Sequence, residues 1–292
     1  MNNKKAVRYA IYAALLYAVS TPFSKMLMDK IPPVFMAGLL YLGAAAGMSI
    51  VTALSRKNRK EDSSFTHSDL PYLILMVLLD IAAPILLMTA LKNSQAESVS
   101  LLNNFEIVAT SLIALLIFKE KISPRLWIAI TLITAASIML SLSDIGSFAI
   151  SVYSLLALLA CCCWGLENNC TRKLSNRDPA KIVIIKGFGS GTGSFIVALI
   201  SGERLSLTPY ILPALLLGFI AYGLSIYAYV YAQRYIGAAK TSAFYALAPF
   251  MGALISLALF PKIPSLLYVL SFVIMALGAF LAIEKERTGI LS

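Results

Sequence analysis

The chain is a succession of long apolar segments separated by short polar ones. A helix needs about 20 apolar residues to cross the hydrocarbon core of a bilayer. Ten segments satisfy this, at about 8–28, 33–54, 70–90, 97–118, 125–142, 150–171, 179–200, 209–232, 239–260 and 264–283. The pattern predicts an all-α integral membrane protein with ten transmembrane helices. The first segment lacks a small-residue cleavage signature, so we expect a retained helix and not a signal peptide.

Composition and charge agree with a membrane protein. Of 292 residues, 59% are hydrophobic and 13% are charged, whereas soluble domains carry about 25% charged residues. With the N-terminus inside, the predicted cytoplasmic segments hold 18 Lys and Arg residues and the outer segments hold 5. Cytoplasmic loops are enriched in Lys and Arg, so both termini are predicted to be cytoplasmic, with the protein in the plasma (cell inner) membrane. The net charge of +10 is mostly this topological signal, and no nucleic-acid partner is expected.

The two halves of the chain repeat each other in order. The matching stretches are Leu42–Gly47 with Phe188–Gly193 at an offset of 146, Tyr17–Lys25 with Trp164–Arg172 at 147, and Ala90–Phe118 with Ala232–Phe260 at 142. Each half holds five predicted spans, an odd number, so the halves must be inverted relative to one another. Inverted repeats that enclose a midplane site are the architecture of alternating-access transporters.

Two motifs give the chain a family resemblance. One is Cys163-Trp164-Gly165 in the sixth segment, and the other is the stretch Ser98–Pro124, which ends in Phe-Lys-Glu-Lys-Ile-Ser-Pro. In order and spacing these resemble the EamA-type ten-helix carriers of the drug/metabolite transporter superfamily, and the resemblance covers essentially the whole chain. It implies two EamA-like repeats, 1–146 and 147–292, around a cavity lined by helices 1, 3, 4, 6, 8 and 9. It also implies transport of small organic solutes such as amino acids.

The first half departs from the family pattern. Tyr17-Ala18 replaces the usual Trp-Gly, and Leu40 stands where an Arg is common. The second copy ends in Phe260-Pro261-Lys262, without the acidic residue found in the first copy. These departures concern the substrate and leave the expected fold unchanged.

Two carboxylates, Asp80 and Glu106, lie near the middle of predicted spans. A charge at this depth costs roughly 2.5–3.5 kcal/mol on insertion scales and usually faces a protein interior or a cavity. Ser100, Asn103, Glu106 and Thr110 follow a helical spacing that places them on one face, a pattern that is also typical of interhelical hydrogen bonding. Two neighbouring carboxylates cannot both stay ionised in a low dielectric. A proton-coupling site and a permanently neutral acid therefore both remain open.

Glu167 and Lys186 lie on the cytoplasmic side of the centres of the sixth and seventh segments. An ion pair between them, direct contact of Glu167 with substrate, and snorkelling of Lys186 to the interface are all compatible with the sequence. If the pair forms, Asp80 and Glu106 are expected to remain uncompensated. That arrangement favours a cationic or zwitterionic substrate.

Aromatic residues fall on the helices that the family places around the cavity. Their faces attract ammonium groups by roughly 2 kcal/mol or more when desolvated, although membrane-interface and packing roles are also common. Tyr17, Trp164 and Tyr245 match repeat or family positions, whereas Tyr229 does not. The predicted substrate-binding set is Tyr17, Asp80, Asn103, Glu106, Trp164, Glu167, Tyr222 and Tyr245.

Other motifs do not indicate chemistry. The glycine-rich stretch Lys186–Gly193 lacks the Gly-Lys-Ser/Thr of a phosphate loop, and its spacing fits close helix packing. Cys161, Cys162 and Cys163 are consecutive on a predicted helix and cannot converge on one metal. No nucleophile–base set is apparent, so we expect no enzyme, no metal and no cofactor.

The sequence therefore favours a secondary transporter that moves an amino-acid-like, zwitterionic or cationic metabolite by alternating access. The alternative is a broad-specificity exporter of drugs or lipophilic cations, which would use the same aromatic residues with less dependence on the carboxylates. The expected partners are a small-molecule substrate, with proton coupling left open, and the lipid bilayer. The oligomeric state is not determined and is compatible with a monomer.

Overall fold

The computed structural model describes residues 3–54, 65–117, 119, 123–143, 151–204, 206, 208–261 and 263–282. Secondary structure in these ranges is helical, and they contain no strand. Some predicted features lie outside the described residues. They are Phe118 and 120–122 of the family element that ends at Pro124, the repeat boundary predicted at 146/147, and Lys262.

The helices follow the hydrophobic segments closely. They are α1 (Asn3–Ala18), α2 (Ser20–Leu27), α3 (Pro33–Leu54), α4 (Leu70–Asn93), α5 (Ala96–Leu102), α6 (Phe105–Leu116), α7 (Pro124–Ser143), α8 (Val152–Leu174), α9 (Pro179–Ile200), α10 (Ile211–Gly218), a π-helical segment (Phe219–Leu224), α11 (Ser225–Tyr245), α12 (Leu247–Leu259) and α13 (Leu266–Ala282). The bounds of α3 and α9 coincide with the predicted segments 33–54 and 179–200.

Six helical stretches of the described chain are long and apolar enough to cross a membrane. They are Lys5–Leu27, Pro33–Leu54, His67–Asn93, Ala96–Leu116, Pro179–Ile200 and Ile211–Ile236. Three further apolar helices, Pro124–Leu140, Leu247–Leu259 and Leu266–Leu281, are shorter. Helix α8 has 23 residues, but its second half is polar. Helices of this number and length make the chain a multi-pass membrane protein.

Several predicted continuous helices are interrupted. The first breaks at Val19, the fourth at Asn103-Asn104, and the ninth at Ala246. At the break in the fourth predicted helix the backbone forms a tighter turn, because the N–H groups of Asn104 and Glu106 donate to carbonyl groups three residues earlier in the chain. Asn side chains compete for backbone hydrogen bonds and are poor helix formers, which accounts for a turn at this pair.

The chain reverses its direction within α11. A straight helix would separate Ser225 from Tyr245 by about 30 Å at 1.5 Å per residue, yet Ser225 Oγ lies 3.3 Å from Tyr245 Oη. The rings of Tyr229 and Tyr245 are also 5.0 Å apart. The two parts of α11 therefore face each other, as expected for the predicted boundary between the eighth and ninth segments.

Glycines bring the central helices into close contact. A Cβ atom on Gly43 would lie 2.1 Å from the carbonyl oxygen of Leu215, and one on Gly193 would lie 2.2 Å from Ile81 Cδ1. Helix α3 thus packs against α10, and α9 packs against α4. The packing role predicted for the glycine-rich stretch Lys186–Gly193, rather than phosphate binding, is confirmed.

Equivalent basic residues cap equivalent helix ends in the two halves. Lys92 Nζ donates to the carbonyl of Met28 at the end of α2. Arg234 Nε donates to the carbonyl of Ser175 at the end of α8, at 2.8 Å. The offset of 142 relates Lys92 to Arg234, and the offset of 147 relates Met28 to Ser175. A cation at a helix C-terminus complements the helix dipole, so both caps stabilise the helix ends that they contact.

Candidate functional site

A cavity of about 50 Å³, lined by charged and aromatic side chains, lies where the central helices meet. At roughly 10–15 Å³ per water, that is room for a few waters or a small solute. Its ionisable lining residues are Asp80, Glu106, Glu167 and Lys186. Its aromatic lining residues are Tyr17, Tyr41, Trp164, Tyr222, Tyr229 and Tyr245.

The structure brings most of the predicted site residues to this cavity. Those that line it are Tyr17, Asp80, Glu106, Trp164, Glu167, Tyr222 and Tyr245. Asn103 does not belong to the lining and is buried in the turn between α5 and α6. Tyr229 lines the cavity although neither the repeat nor the family pattern selects it.

Lys186 connects two carboxylates in the cavity wall. Its Nζ lies 2.8 Å from Glu167 Oε1 and 3.1 Å from Asp80 Oδ2. The three residues are only 3%, 3% and 0% exposed, in that order. Of the three interpretations left open by the sequence, the ion pair with Glu167 is present and snorkelling is excluded by burial. The expectation that Asp80 is uncompensated is wrong, because α9 places the ammonium group between α4 and α8.

Hydroxyl groups complete this ionic cluster. Tyr41 Oη donates a hydrogen bond to Asp80 Oδ1 at 2.8 Å, and Thr171 Oγ1 donates to Glu167 Oε1. The second oxygen of Asp80, Oδ2, faces Lys186 Nζ at 3.1 Å. The cluster therefore contains one cation and two carboxylates.

Glu106 forms a separate anionic position. Asn168 Nδ2 donates to its Oε1 at 2.6 Å, and in the described part of the chain no basic side chain forms an ion pair with it. It lies in the first turn of α6, where the helix dipole favours a negative charge. Tyr17 and Tyr245 line the same cavity. A carboxylate beside aromatic rings is suited to an ammonium group.

The polar stripe predicted along the fourth helix is divided by the turn at Asn103-Asn104. Ser100 Oγ donates to the carbonyl of Pro249 at 2.9 Å and so faces α12. Thr110 and Glu106 instead contact Asn168 of α8. The expectation of one shared face is wrong, since the turn rotates the second half of the helix relative to the first.

The aromatic residues form one contiguous wall. Ring centroids are 5.6 Å apart for Tyr17 and Tyr222, 5.5 Å for Tyr17 and Tyr245, and 5.1 Å for Tyr41 and Tyr222. These distances are typical of aromatic pairs. Trp164 lines the same cavity from α8. The wall joins the ionic cluster beside Tyr41 to the Glu106 position beside Tyr17 and Tyr245.

Site residues coincide with irregular helix geometry. Pro84 has no N–H to donate to the carbonyl of Asp80 four residues earlier, which bends a helix at that point. Tyr222 lies in the π-helical segment, a feature frequent at functional sites. The offset of 142 relates Asp80 to Tyr222. This pair of equivalent positions therefore carries a carboxylate in the first half of the chain and a phenol in the second.

The predicted substrate-binding set contains neither Tyr41 nor Lys186, although both line the cavity. Tyr41 lies in an apolar stretch of the second helix, which the family resemblance does not place at the cavity. A signal existed at Lys186: the offset of 146 relates it to Leu40, the position where the family commonly has an Arg. The basic residue that the first half lacks is thus present at the equivalent position of the second half.

Comparison with known proteins agrees with this arrangement. The model of the EamA-like transporter family matches residues 4–142 and 151–283. An "Uncharacterized transporter" from Methanothermobacter thermautotrophicus (strain Delta H) is 26% identical over 289 residues, which cover 93% of this chain and 84% of the relative.

A solved structure described as "Crystal structure of protein" superimposes with a TM-score of 0.71 at 15% identity, over 95% of each chain. At that identity the likeness shows the fold alone. The family match extends over both halves of the chain and so includes every helix that lines the cavity. The protein is therefore a multi-pass membrane transporter that belongs to the EamA-like transporter family.

Proposed function

We propose that this protein is a secondary transporter that moves a small amino-acid-like, zwitterionic or cationic metabolite across the plasma membrane by alternating access. The observation that carries the proposal is a cavity with a cation at one position, Lys186, and at another a carboxylate, Glu106, to which the described residues supply no ion-pair partner. A zwitterion presents the opposite charges. The aromatic wall between the two positions provides contact area for the rest of the solute.

The proposed architecture is ten spans in two inverted repeats, 1–146 and 147–292, with both termini cytoplasmic. The equivalent caps made by Lys92 and Arg234 support it. The equivalent breaks support it too, since Asn103-Asn104 and Tyr245-Ala246 are related by the offset of 142. Broken helices at corresponding positions of two repeats are typical of transporter sites at the bilayer midplane.

A second candidate function is export of lipophilic cations. The six aromatic residues of the cavity favour it, because aromatic faces bind desolvated cations. The space for only a few waters favours a small solute instead. The two functions differ in their need for Lys186, since a cation without a carboxylate has no use for a buried ammonium group.

The test begins with thermal shift of the purified protein in detergent. The panel contains the twenty protein amino acids, the amines left by their decarboxylation, and tetraphenylphosphonium. Solutes that stabilise the protein are then tested for flux in proteoliposomes. Saturable flux of an amino acid that is lost in Glu106→Gln supports the proposal. Flux of tetraphenylphosphonium without flux of any amino acid would favour the exporter.

Proton coupling is part of the same proposal, and flux under an imposed pH gradient tests it. A gradient that drives accumulation of the solute above equilibrium supports coupling. Accumulation that follows only the solute's own gradient would show a uniporter.

A further inference from the structure

The ionic cluster has an excess of negative charge. Lys186 is the one cation that the described residues place against Asp80 and Glu167. Two ionised carboxylates with a single ammonium group leave one negative charge uncompensated in a buried environment. Such charge is costly unless it is paired or neutralised by a proton. Any ligand that engages Lys186 increases this cost.

Asp80 is the member of the cluster least supported by hydrogen bonds. Its Oδ2 faces only the shared ammonium group of Lys186, at 3.1 Å, among the described residues. Glu167 Oε1, in contrast, accepts from both Lys186 and Thr171. The polar groups that face Asp80 are Tyr41 of α3, Glu167 of α8 and Lys186 of α9, with Tyr222 and Glu106 on the same cavity. Only Lys186 among them is cationic.

We propose that the substrate carboxylate and one proton enter this site together, which makes the protein a proton symporter. The carboxylate of the substrate accepts a hydrogen bond from Lys186 Nζ in place of Asp80. Asp80 Oδ2 takes up the proton, so that Lys186 faces two ionised carboxylates after binding, as it does before, and not three. The inference rests on the proposed function and deepens it by assigning the coupling residue and the direction of coupling.

The step balances in atoms and charge. One O–H bond forms at Asp80 Oδ2, and the proton comes from the solution on the side to which the cavity is open. Lys186 keeps its own proton and remains an ammonium group shared by Glu167 and the substrate. The substrate ammonium pairs with Glu106 and loses no proton. Release on the opposite side reverses each event, so one proton crosses with each zwitterion.

Glu106 is not the coupling residue in this scheme. It lies in the first turn of α6 and accepts a hydrogen bond from Asn168, and both features favour its ionised form. Substrate binding adds a cation next to it, which favours the ionised form further. Binding therefore changes the need for a proton in opposite directions at Glu106 and at Asp80.

The experiment measures proton uptake on binding. The amino acid that stabilises the protein most in the thermal-shift panel is added to purified protein in weakly buffered detergent with a pH indicator. We expect uptake of up to about one proton per protein at pH 8, and a dissociation constant that falls by up to about tenfold per unit decrease in pH between 8.5 and 7.5. The corresponding decarboxylated amine lacks the group that engages Lys186 and is expected to cause no uptake.

Variants separate the carboxylates. Asp80→Asn is expected to abolish proton uptake and to make the dissociation constant independent of pH. Asp80→Glu, which keeps an ionisable group, is expected to restore both. Glu97→Gln is the matched control, since it removes a buried carboxylate of α5 that does not line the cavity, and it is expected to keep both.

The outcomes distinguish a failure of the proposed function from a failure of this inference alone. If no amino acid binds, the proposed function fails and this inference fails with it. If an amino acid binds without proton uptake, or if sodium replaces the pH dependence, only the inference is overturned. Retention of uptake in Asp80→Asn would also overturn it. Should Asp80→Asn fail to fold, Asp80→Ser replaces it, and proton uptake that survives in Asp80→Ser would count against the assignment.

Discussion

Replacing Lys186 by Met tests the ionic cluster without any substrate. The change keeps the length of the side chain but removes the ammonium group that lies 2.8 Å from Glu167 and 3.1 Å from Asp80. Removing one partner of a buried ion pair typically costs about 3–5 kcal/mol. All three groups are almost completely buried, so solvent screening does not reduce this figure. We expect a loss of stability of that size at pH 8.

The loss should depend on pH, with a defined sign. In Lys186→Met, the folded protein binds protons more readily than the unfolded chain, because protons neutralise the two buried carboxylates that have lost their cation. Stability of the variant therefore recovers as the pH falls and is lowest at high pH. Wild-type protein should show a smaller change over the same range.

The assay is reversible unfolding in mixed micelles between pH 5 and pH 8.5, followed by circular dichroism. The triple variant Lys186→Met, Asp80→Asn, Glu167→Gln is the matched control, because it removes the carboxylates together with the cation. It is expected to regain most of the lost stability at pH 8. A single variant as stable as wild type at pH 8, or equally destabilised at every pH, would refute the reasoning.

Three further predictions concern other parts of the molecule. Glu106→Gln should stay folded, since Gln keeps an acceptor for Asn168, but should weaken binding of an amino acid by about 2–5 kcal/mol in isothermal titration; unchanged affinity would assign a structural role. Trp164→Ala should weaken binding by up to about 2 kcal/mol, whereas Trp127→Ala, at a position 45% exposed on α7, should not; equal effects of the two would remove Trp164 from the site. Lys92→Met should accelerate amide hydrogen exchange at the end of α2, and Arg234→Met should do so at the end of α8, each by roughly tenfold or more, because a hydrogen bond from a charged group is lost. Exchange at the wild-type rate would contradict the capping role.

Much of the fold could be predicted from hydropathy alone. The segments 33–54 and 179–200 coincide with α3 and α9, because a bilayer requires about 20 apolar residues in a helix that satisfies its own backbone. The glycine-rich stretch Lys186–Gly193 could be assigned to helix packing from the spacing of its glycines alone. What hydropathy could not show is where a helix bends, since Asn103-Asn104 and Phe219–Leu224 change the backbone without lowering the apolar character of the segment.

The candidate site was only partly predictable. Charged and aromatic residues at membrane depth stand out in the sequence, because their burial is costly and needs a reason. Seven of the eight residues selected in this way line the cavity. Asn103 does not, since the turn that it helps to form directs it elsewhere, and Tyr41 could not be selected because nothing in its own segment marks it as polar.

The sequence by itself determined that this is a helical membrane protein with a repeated plan and with carboxylates inside its apolar segments. Only the tertiary structure decided which charges meet. Asp80 is linked to Tyr41 of α3 and Lys186 of α9, and Lys186 to Glu167 of α8. The physical reason is that hydropathy depends on each segment alone, whereas an ion pair depends on the packing of helices more than a hundred residues apart, as Asp80 and Lys186 are.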